Sequence, residues 1–129
     1  MNSSIKSIGT DLVHISRIEK LYNKYNNKFA LKILSNLEME KFNNLHNNKK
    51  INFIAKRFAA KEALVKAFGT GFRMGIWFQD FSILNNNLGA PIVKLHNKAL
   101  KFADDNNIKN ILISLSDEKH YALAFVVIS

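Results

Sequence analysis

The sequence contains no cysteine, which excludes disulfides, thiolate metal sites and a thiol nucleophile. It has no long apolar run either. The longest, Tyr121 to Ile128, is eight residues, far below the ~20 that a membrane-spanning helix requires. Met1 to Lys6 is polar and no signal-peptide-like apolar stretch follows it, so the expectation is a cytoplasmic protein with no membrane partner. Repeats and linkers are absent, and residues 1–129 read as a single domain. Acidic residues are scarce, 10 against 19 Lys and Arg, for a formal charge of +9. Arginine is scarce too, at three against 16 lysines. The four histidines, His14, His46, His96 and His120, lack metal-ligand spacing.

What remains is ordinary globular composition, 47% hydrophobic and 22% charged, enough to bury a core without a staple. The charge is uneven. Lys and Arg outnumber Asp and Glu 14 to 6 in residues 1–80, but only 5 to 4 in residues 81–129. A one-sided basic surface favours an anionic partner. A lysine- and asparagine-rich bias of an AT-rich genome accounts for the net charge equally well.

Periodicity divides the chain into helical and strand-like parts. Ile5 to Val13 reads as an opening strand ending near Asp11, and Ile15 to Phe29 as a helix that Asn26-Asn27 could interrupt. Ala30 to Leu34 continues a helical pattern. Ser35 with Glu38 forms a capping box opening a helix to about Leu45. His46 to Lys50 reads as a loop. Ile51 to Phe68 gives the clearest helix, stopped by Gly69-Thr70-Gly71. Ile76 to Leu84 and Pro91 to Leu95 read as strands around an Asn85–Gly89 turn. His96 to Asn106 reads as a helix, and Ile108 to Ser116 with Tyr121 to Ile128 as a closing hairpin. The fold class is α+β, with helices packed on a mainly antiparallel sheet.

Three features could carry chemistry. In the helix Ile51–Phe68, Ile54, Phe58, Val65 and Phe68 form a core face. Another side combines Ala55, Ala59 and Ala63 with Glu62 and Lys66, where small residues permit close approach beside a carboxylate and an ammonium. Glu62 and Lys66 also make an ordinary i,i+4 surface pair. Asp11 lies among apolar residues. It is either the N-cap of the following helix or a second carboxylate converging with Glu62 on a hard cation such as Mg²⁺. Gly69 and Gly71 beside Lys66 would suit a diphosphate through close backbone approach. Finally, Arg17, Lys20, Lys24 and Lys28 line one helix side, either as a solvated face or as a docking surface.

Together these residues form a specific pattern. Ile8-Gly9-Thr10-Asp11-Leu12-Val13, Arg17-Ile18 and the block from Arg57-Phe58-Ala59-Ala60-Lys61-Glu62-Ala63 through Lys66-Ala67-Phe68-Gly69-Thr70-Gly71 closely resemble the holo-acyl-carrier-protein synthases, which are small phosphopantetheinyl transferases. The resemblance continues through Phe78-Gln79-Asp80, Gly89-Ala90-Pro91, Ser114-Leu115-Ser116 and Tyr121-Ala122, spanning nearly the whole chain in order.

The resemblance implies transfer of the 4′-phosphopantetheine arm of coenzyme A to a serine of apo-acyl carrier protein. Adenosine 3′,5′-bisphosphate would leave, and the product would support fatty acid biosynthesis. It implies a homotrimer with active sites between neighbouring subunits. By motif, Asp11 and Glu62 would hold Mg²⁺ and Lys66 would contact the phosphates. Arg57 and the Lys49-Lys50 pair would hold the nucleotide end, with Gly69, Gly71 and Pro91 also on the coenzyme A side. Asp11, Glu62 and Lys66 form the implied catalytic set, with Glu62 the plausible acceptor of the serine proton. Arg17, Lys20, Lys24 and Lys28 would face the acidic carrier protein. One departure stands out: Leu112 occupies a position where many relatives have histidine. The competing class is a non-enzymatic nucleic-acid-binding module, which the charge and ten phenylalanines permit, although most of those phenylalanines fall at core-like spacing.

Overall fold

The structure, a computed structural model, describes residues 4–129. In chain order it contains β1 (Ser7–His14), α1 (Ile15–Tyr25), α2 (Asn27–Ile33), α3 (Asn36–Asn43) and α4 (Asn47–Phe68). A 3-10 turn (Phe78–Asp80) leads into β2 (Phe81–Asn85), β3 (Pro91–Leu95), α5 (Asn97–Asp105), β4 (Ile111–Asp117) and β5 (Tyr121–Ile128). Strands β1, β5 and β4 form an antiparallel sheet in that order, and β2 and β3 form a second antiparallel pair. The class is α+β, as expected.

Helix α4 is the axis of the molecule. Its 22 residues give it a length of about 33 Å, and it lies against β1, β5 and α1. It has no broad solvent face: Ile54, Phe58, Val65 and Phe68 are buried, and so are Ala55, Ala59, Ala60, Ala63 and Ala67. A helix buried on most sides needs small residues wherever a neighbour's backbone comes close, and the alanines supply them. Gly69, at φ 78°, ends the helix in the left-handed conformation, its amide donating to the Lys66 carbonyl oxygen.

Several boundaries differ from the sequence reading. The segment His46–Lys50 is not a loop, because α4 starts at Asn47 with His46 as its N-cap. Lys49 and Lys50 therefore sit in the first helical turn. The chain does break at Asn26, whose φ of 51° separates α1 from α2, so Lys28 stands on a different helix from Arg17, Lys20 and Lys24. Asp11 lies within β1 and does not end it; the N-cap of α1 is His14, which removes the capping role for Asp11. The strand expected from Ile76 starts only at Phe81. Asp80 Oδ2 accepts from the Trp77 amide at 3.0 Å and the Asp80 amide donates to the Trp77 carbonyl oxygen at 3.1 Å, turning the chain first.

The capping box at Ser35 is present, and its Glu38 also anchors a buried polar network. Glu38 Oε1 accepts from the Lys61 ammonium at 2.5 Å and from the Ser35 amide at 2.9 Å, while Oε2 accepts from the Ile83 amide at 2.8 Å. Lys61, fully buried, donates also to the Ile33 carbonyl oxygen at 2.6 Å. One ion pair thereby ties α2, α3, β2 and α4 together beside Glu62.

Candidate active site

Strand alternation decides which β1 side chains reach α4. Ser7, Gly9, Asp11 and Val13 point inward, and Ile8, Thr10, Leu12 and His14 point outward. Gly9 makes the approach close: a Cβ there would run into the Ala63 carbonyl oxygen and lie 2.8 Å from the Ala67 amide nitrogen. Ser7 Oγ donates to the Ala67 carbonyl oxygen at 2.5 Å, fixing the same contact.

Asp11, two residues beyond Gly9 on the inward face, meets the part of α4 that carries Glu62 and Lys66. The Lys66 ammonium donates to Asp11 Oδ1 and to the Thr10 carbonyl oxygen, each at 3.0 Å. Lys66 thus pairs across the strand–helix junction. Asp11 is largely buried, with its side chain 16% exposed against 54% for Lys66. Glu62 is half-buried. Burial pushes its carboxyl pKa up, the Asp11 charge pushes the same way, and Lys66 and Arg17 pull it down. Arg17 approaches from α1 with its guanidinium 5.5 Å from the Phe58 ring centre. It therefore belongs to this cluster as well as to the basic helix side.

The donor set suits Mg²⁺. The Asp11 charge acts on Glu62 and raises its pKa, so the two carboxylates are electrostatic neighbours, and among the described residues no group of three or more His, Cys, Asp or Glu gathers into a cage. Mg²⁺ typically takes one or two protein carboxylates and completes its shell with water and phosphate oxygens. Gly69 and Gly71, with φ of 78° and 60°, follow immediately after Lys66. A Cβ on either would meet nothing within 4 Å, so backbone conformation and not crowding calls for glycine there.

The residues assigned to the nucleotide end gather elsewhere. Lys49 and Arg57 line a hollow of about 340 Å³ with Lys41, Lys56, Asn85 and Asp117. Pro91 opens β3 opposite Asn85, at its border. Lys50 is not among its lining residues; its ammonium sits 4.9 Å from the Phe42 ring centre. Arg57 is nearly buried, donating to the Ile83 carbonyl oxygen at 3.1 Å, with its Nε 4.0 Å from Glu38 Oε2 and without a hydrogen-bond partner. Lys41 and Lys56 escaped the sequence reading. Lys56 lies seven residues after Lys49, on the same helix side, and starting α4 at Asn47 would have exposed that spacing. Burial, and to a smaller extent the charges of Arg57 and Lys56, push the Lys41 pKa down.

A third feature is an apolar cleft of about 570 Å³ between α1, α2 and the 3-10 turn, lined by Leu21, Tyr25, Phe29, Phe58 and Phe78 and edged by Lys28 and Lys32. Phe58 joins it to the Arg17 corner of the site. Lys20 and Lys24 are exposed on α1 beside it. Leu112 is 67% exposed on the outer sheet face. Seven of the phenylalanines, Phe29, Phe42, Phe53, Phe58, Phe68, Phe78 and Phe81, are buried, so they form core and not a nucleic-acid-stacking surface.

Comparison with known proteins places the whole chain in a family. The sequence pattern of the 4′-phosphopantetheinyl transferase superfamily matches residues 7–126. A holo-[acyl-carrier-protein] synthase of Wigglesworthia glossinidia brevipalpis is 49% identical over 127 residues, 96% of this chain and 91% of that one. The crystal structure of the Neisseria meningitidis holo-[acyl-carrier-protein] synthase superimposes with a TM-score of 0.90 at 40% identity, covering 98% and 99% of the two chains. The Helicobacter pylori holo-[acyl-carrier-protein] synthase in complex with coenzyme A gives 0.81 at 34% identity, covering 95% and 99%. The chain belongs to the 4′-phosphopantetheinyl transferase superfamily and, within it, to the holo-[acyl-carrier-protein] synthases.

Proposed function

We propose that the chain transfers 4′-phosphopantetheine from coenzyme A to a serine hydroxyl of apo-acyl carrier protein, with Mg²⁺ held by Asp11 and Glu62 and adenosine 3′,5′-bisphosphate as the second product. The observation that carries this reading is the junction of Asp11, Glu62 and Lys66 at the Gly9–Ala63 contact. When bound, the metal would supply Lewis-acid charge stabilisation to the diphosphate.

The chain's own residues supply the rest. The serine oxygen bonds to the phosphorus bearing pantetheine, and the bridging oxygen leaves with the nucleotide phosphate. Lys66, half-exposed on a flexible stem, places an ammonium where that negative charge develops. Glu62, a half-buried carboxylate beside Asp11, is the acceptor we assign to the serine proton. The Lys49–Arg57 hollow supplies cationic groups for the nucleotide end.

Lys49 and Lys66 are 17 positions apart on one helix, about 25 Å along its axis. They therefore serve one coenzyme A best when contributed by two copies of the chain. The outer face of the sheet supports such an assembly, because Ile8, Leu12, Leu123, Phe125 and Leu112 leave it apolar and exposed. We assign it to the homotrimer contact. Arg17, Lys20, Lys24 and Lys28, with Lys32, surround the apolar cleft and suit an acidic carrier protein carrying an apolar side chain into it. A cytoplasmic location and a supply role in fatty acid biosynthesis complete the reading; no helix of the described residues is long and apolar enough to cross a membrane.

The test is intact-protein mass spectrometry of an apo-acyl carrier protein after incubation with the chain, coenzyme A and Mg²⁺. The expected result is a gain of one phosphopantetheine, abolished by chelator and by Asp11→Ala. Full modification in chelator, or by Asp11→Ala at the normal rate, would overturn the assignment of the metal.

A further inference from the structure

The Lys66 ammonium sits on a carboxylate that the proposed chemistry assigns to the cation. It lies 3.0 Å from Asp11 Oδ1, on one of the two carboxylates that would bind the cation. A second hydrogen bond, to the Thr10 carbonyl oxygen at 3.0 Å, holds it there. Asp11 is the less exposed partner, so its charge depends on a nearby counter-charge more than that of Lys66 does. An ammonium and a divalent cation on the same carboxylate repel each other, and the cation, with twice the charge, holds the carboxylate more strongly.

We infer that Lys66 is an exchangeable counter-ion: it neutralises Asp11 until the divalent cation arrives, which frees the ammonium to bind the diphosphate. The inference rests on the proposed metal site and adds an order of events to it. The geometry permits the exchange. Lys66 is half-exposed and sits in the last turn of α4, and the backbone beyond it turns away at Gly69. Its stem can swing without disturbing the core. The energetics permit it too, since a half-exposed ion pair is weak, a small cost for a divalent cation to overcome. The consequence is coupling: the cation releases a phosphate-binding group as it binds, so metal and diphosphate strengthen each other's binding.

The experiment measures binding without turnover, by calorimetric titration of the full chain with Mg²⁺ alone. NMR of the Lys66 ammonium, assigned by its loss in Lys66→Met, runs in parallel. Arg17→Met serves as the control, because it removes a charge near Glu62 without touching Asp11. The expected result is Mg²⁺ binding about fivefold tighter in Lys66→Met, the factor that corresponds to giving up a half-exposed ion pair, and a smaller gain in Arg17→Met. The ammonium should become mobile on adding Mg²⁺ and ordered again on adding inorganic pyrophosphate. If Mg²⁺ binds but the ammonium signal stays fixed, or Lys66→Met gains no more than Arg17→Met, the exchange is wrong and the metal site stands. If Mg²⁺ does not bind the native chain, or binds Asp11→Asn equally well, the metal site falls and the exchange falls with it.

Discussion

Gly9→Ala tests the contact that brings β1 onto α4. Two effects of opposite sign act on it. Replacing glycine by alanine within a strand restricts the unfolded chain, which by itself stabilises by about 0.4–1 kcal/mol. The added Cβ, however, meets backbone on α4: the Ala63 carbonyl oxygen, and the Ala67 amide nitrogen at 2.8 Å. No side chain there can rotate out of the way, so strand and helix must separate. Overpacking of this kind costs about 1–3 kcal/mol, and rigid atoms put the value at the upper end. The net expectation is about 2 kcal/mol of destabilisation, a fall in melting temperature of about 6–12 °C for a chain of this size. Thermal unfolding should be followed at fixed protein concentration, since an oligomer's melting point depends on it. The separation also moves Asp11 away from Glu62 and Lys66, so the Mg²⁺ concentration for half-maximal phosphopantetheinyl transfer should rise several-fold. A melting temperature equal to or above that of the native chain would refute the steric argument. An unchanged Mg²⁺ requirement in a destabilised variant would refute the link from Gly9 to the site.

Other outcomes follow from the same geometry. Glu62→Gln should lower turnover at saturating Mg²⁺ by at least about 100-fold, the usual range for a lost general base; near-normal turnover would remove Glu62 from that role. The same substitution should stabilise the chain in chelator at neutral pH. Because the folded pKa of Glu62 is raised, its ionisation opposes folding above that pKa, and the gain should vanish as pH falls below the ordinary carboxylate range. Lys61→Met leaves Glu38 charged and buried and should cost about 3–5 kcal/mol. In denaturant titrations the double change Glu38→Gln/Lys61→Met should recover much of that loss. Lys24→Glu should raise KM for carrier protein several-fold at low salt while leaving KM for coenzyme A unchanged. Leu112→Asp should shift the chain to a smaller species in light scattering if the outer sheet face joins copies.

Much of the helical framework was legible because it rests on short-range rules. The Ser35–Glu38 capping box and the left-handed stop at Gly69 act within one turn. The break near Asn26 needs no distant residue to explain it. The misreadings came where distant packing overrides local signals. The Asn-rich segment before Ile51 looks like a loop, yet it starts the buried central helix. The apolar run from Ile76 looks like a strand, yet the Asp80 carboxylate turns it before β2 begins.

The site divides in the same way. The sequence by itself determined the chemical inventory: a carboxylate after Gly-Thr, a Glu–Lys pair one turn apart beside small residues, glycines after the lysine, and an excess of positive charge in the first 80 residues. Only the tertiary structure decided which groups meet. Lys66 pairs with Asp11, 55 positions away, because the missing Cβ of Gly9 lets a strand lie directly on a helix backbone. Glu38 reaches Lys61 across 23 positions and the Ile83 amide across 45. Lys41 joins Lys49, Lys56 and Arg57 at one hollow because Glu38 ties α3 to Lys61 of α4 and Lys41 itself donates to Asn85 at the end of β2. Spacing along a chain fixes the direction of a side chain within one element. The distance between two elements depends on the bulk of every residue between them, and that is settled only when the core is packed.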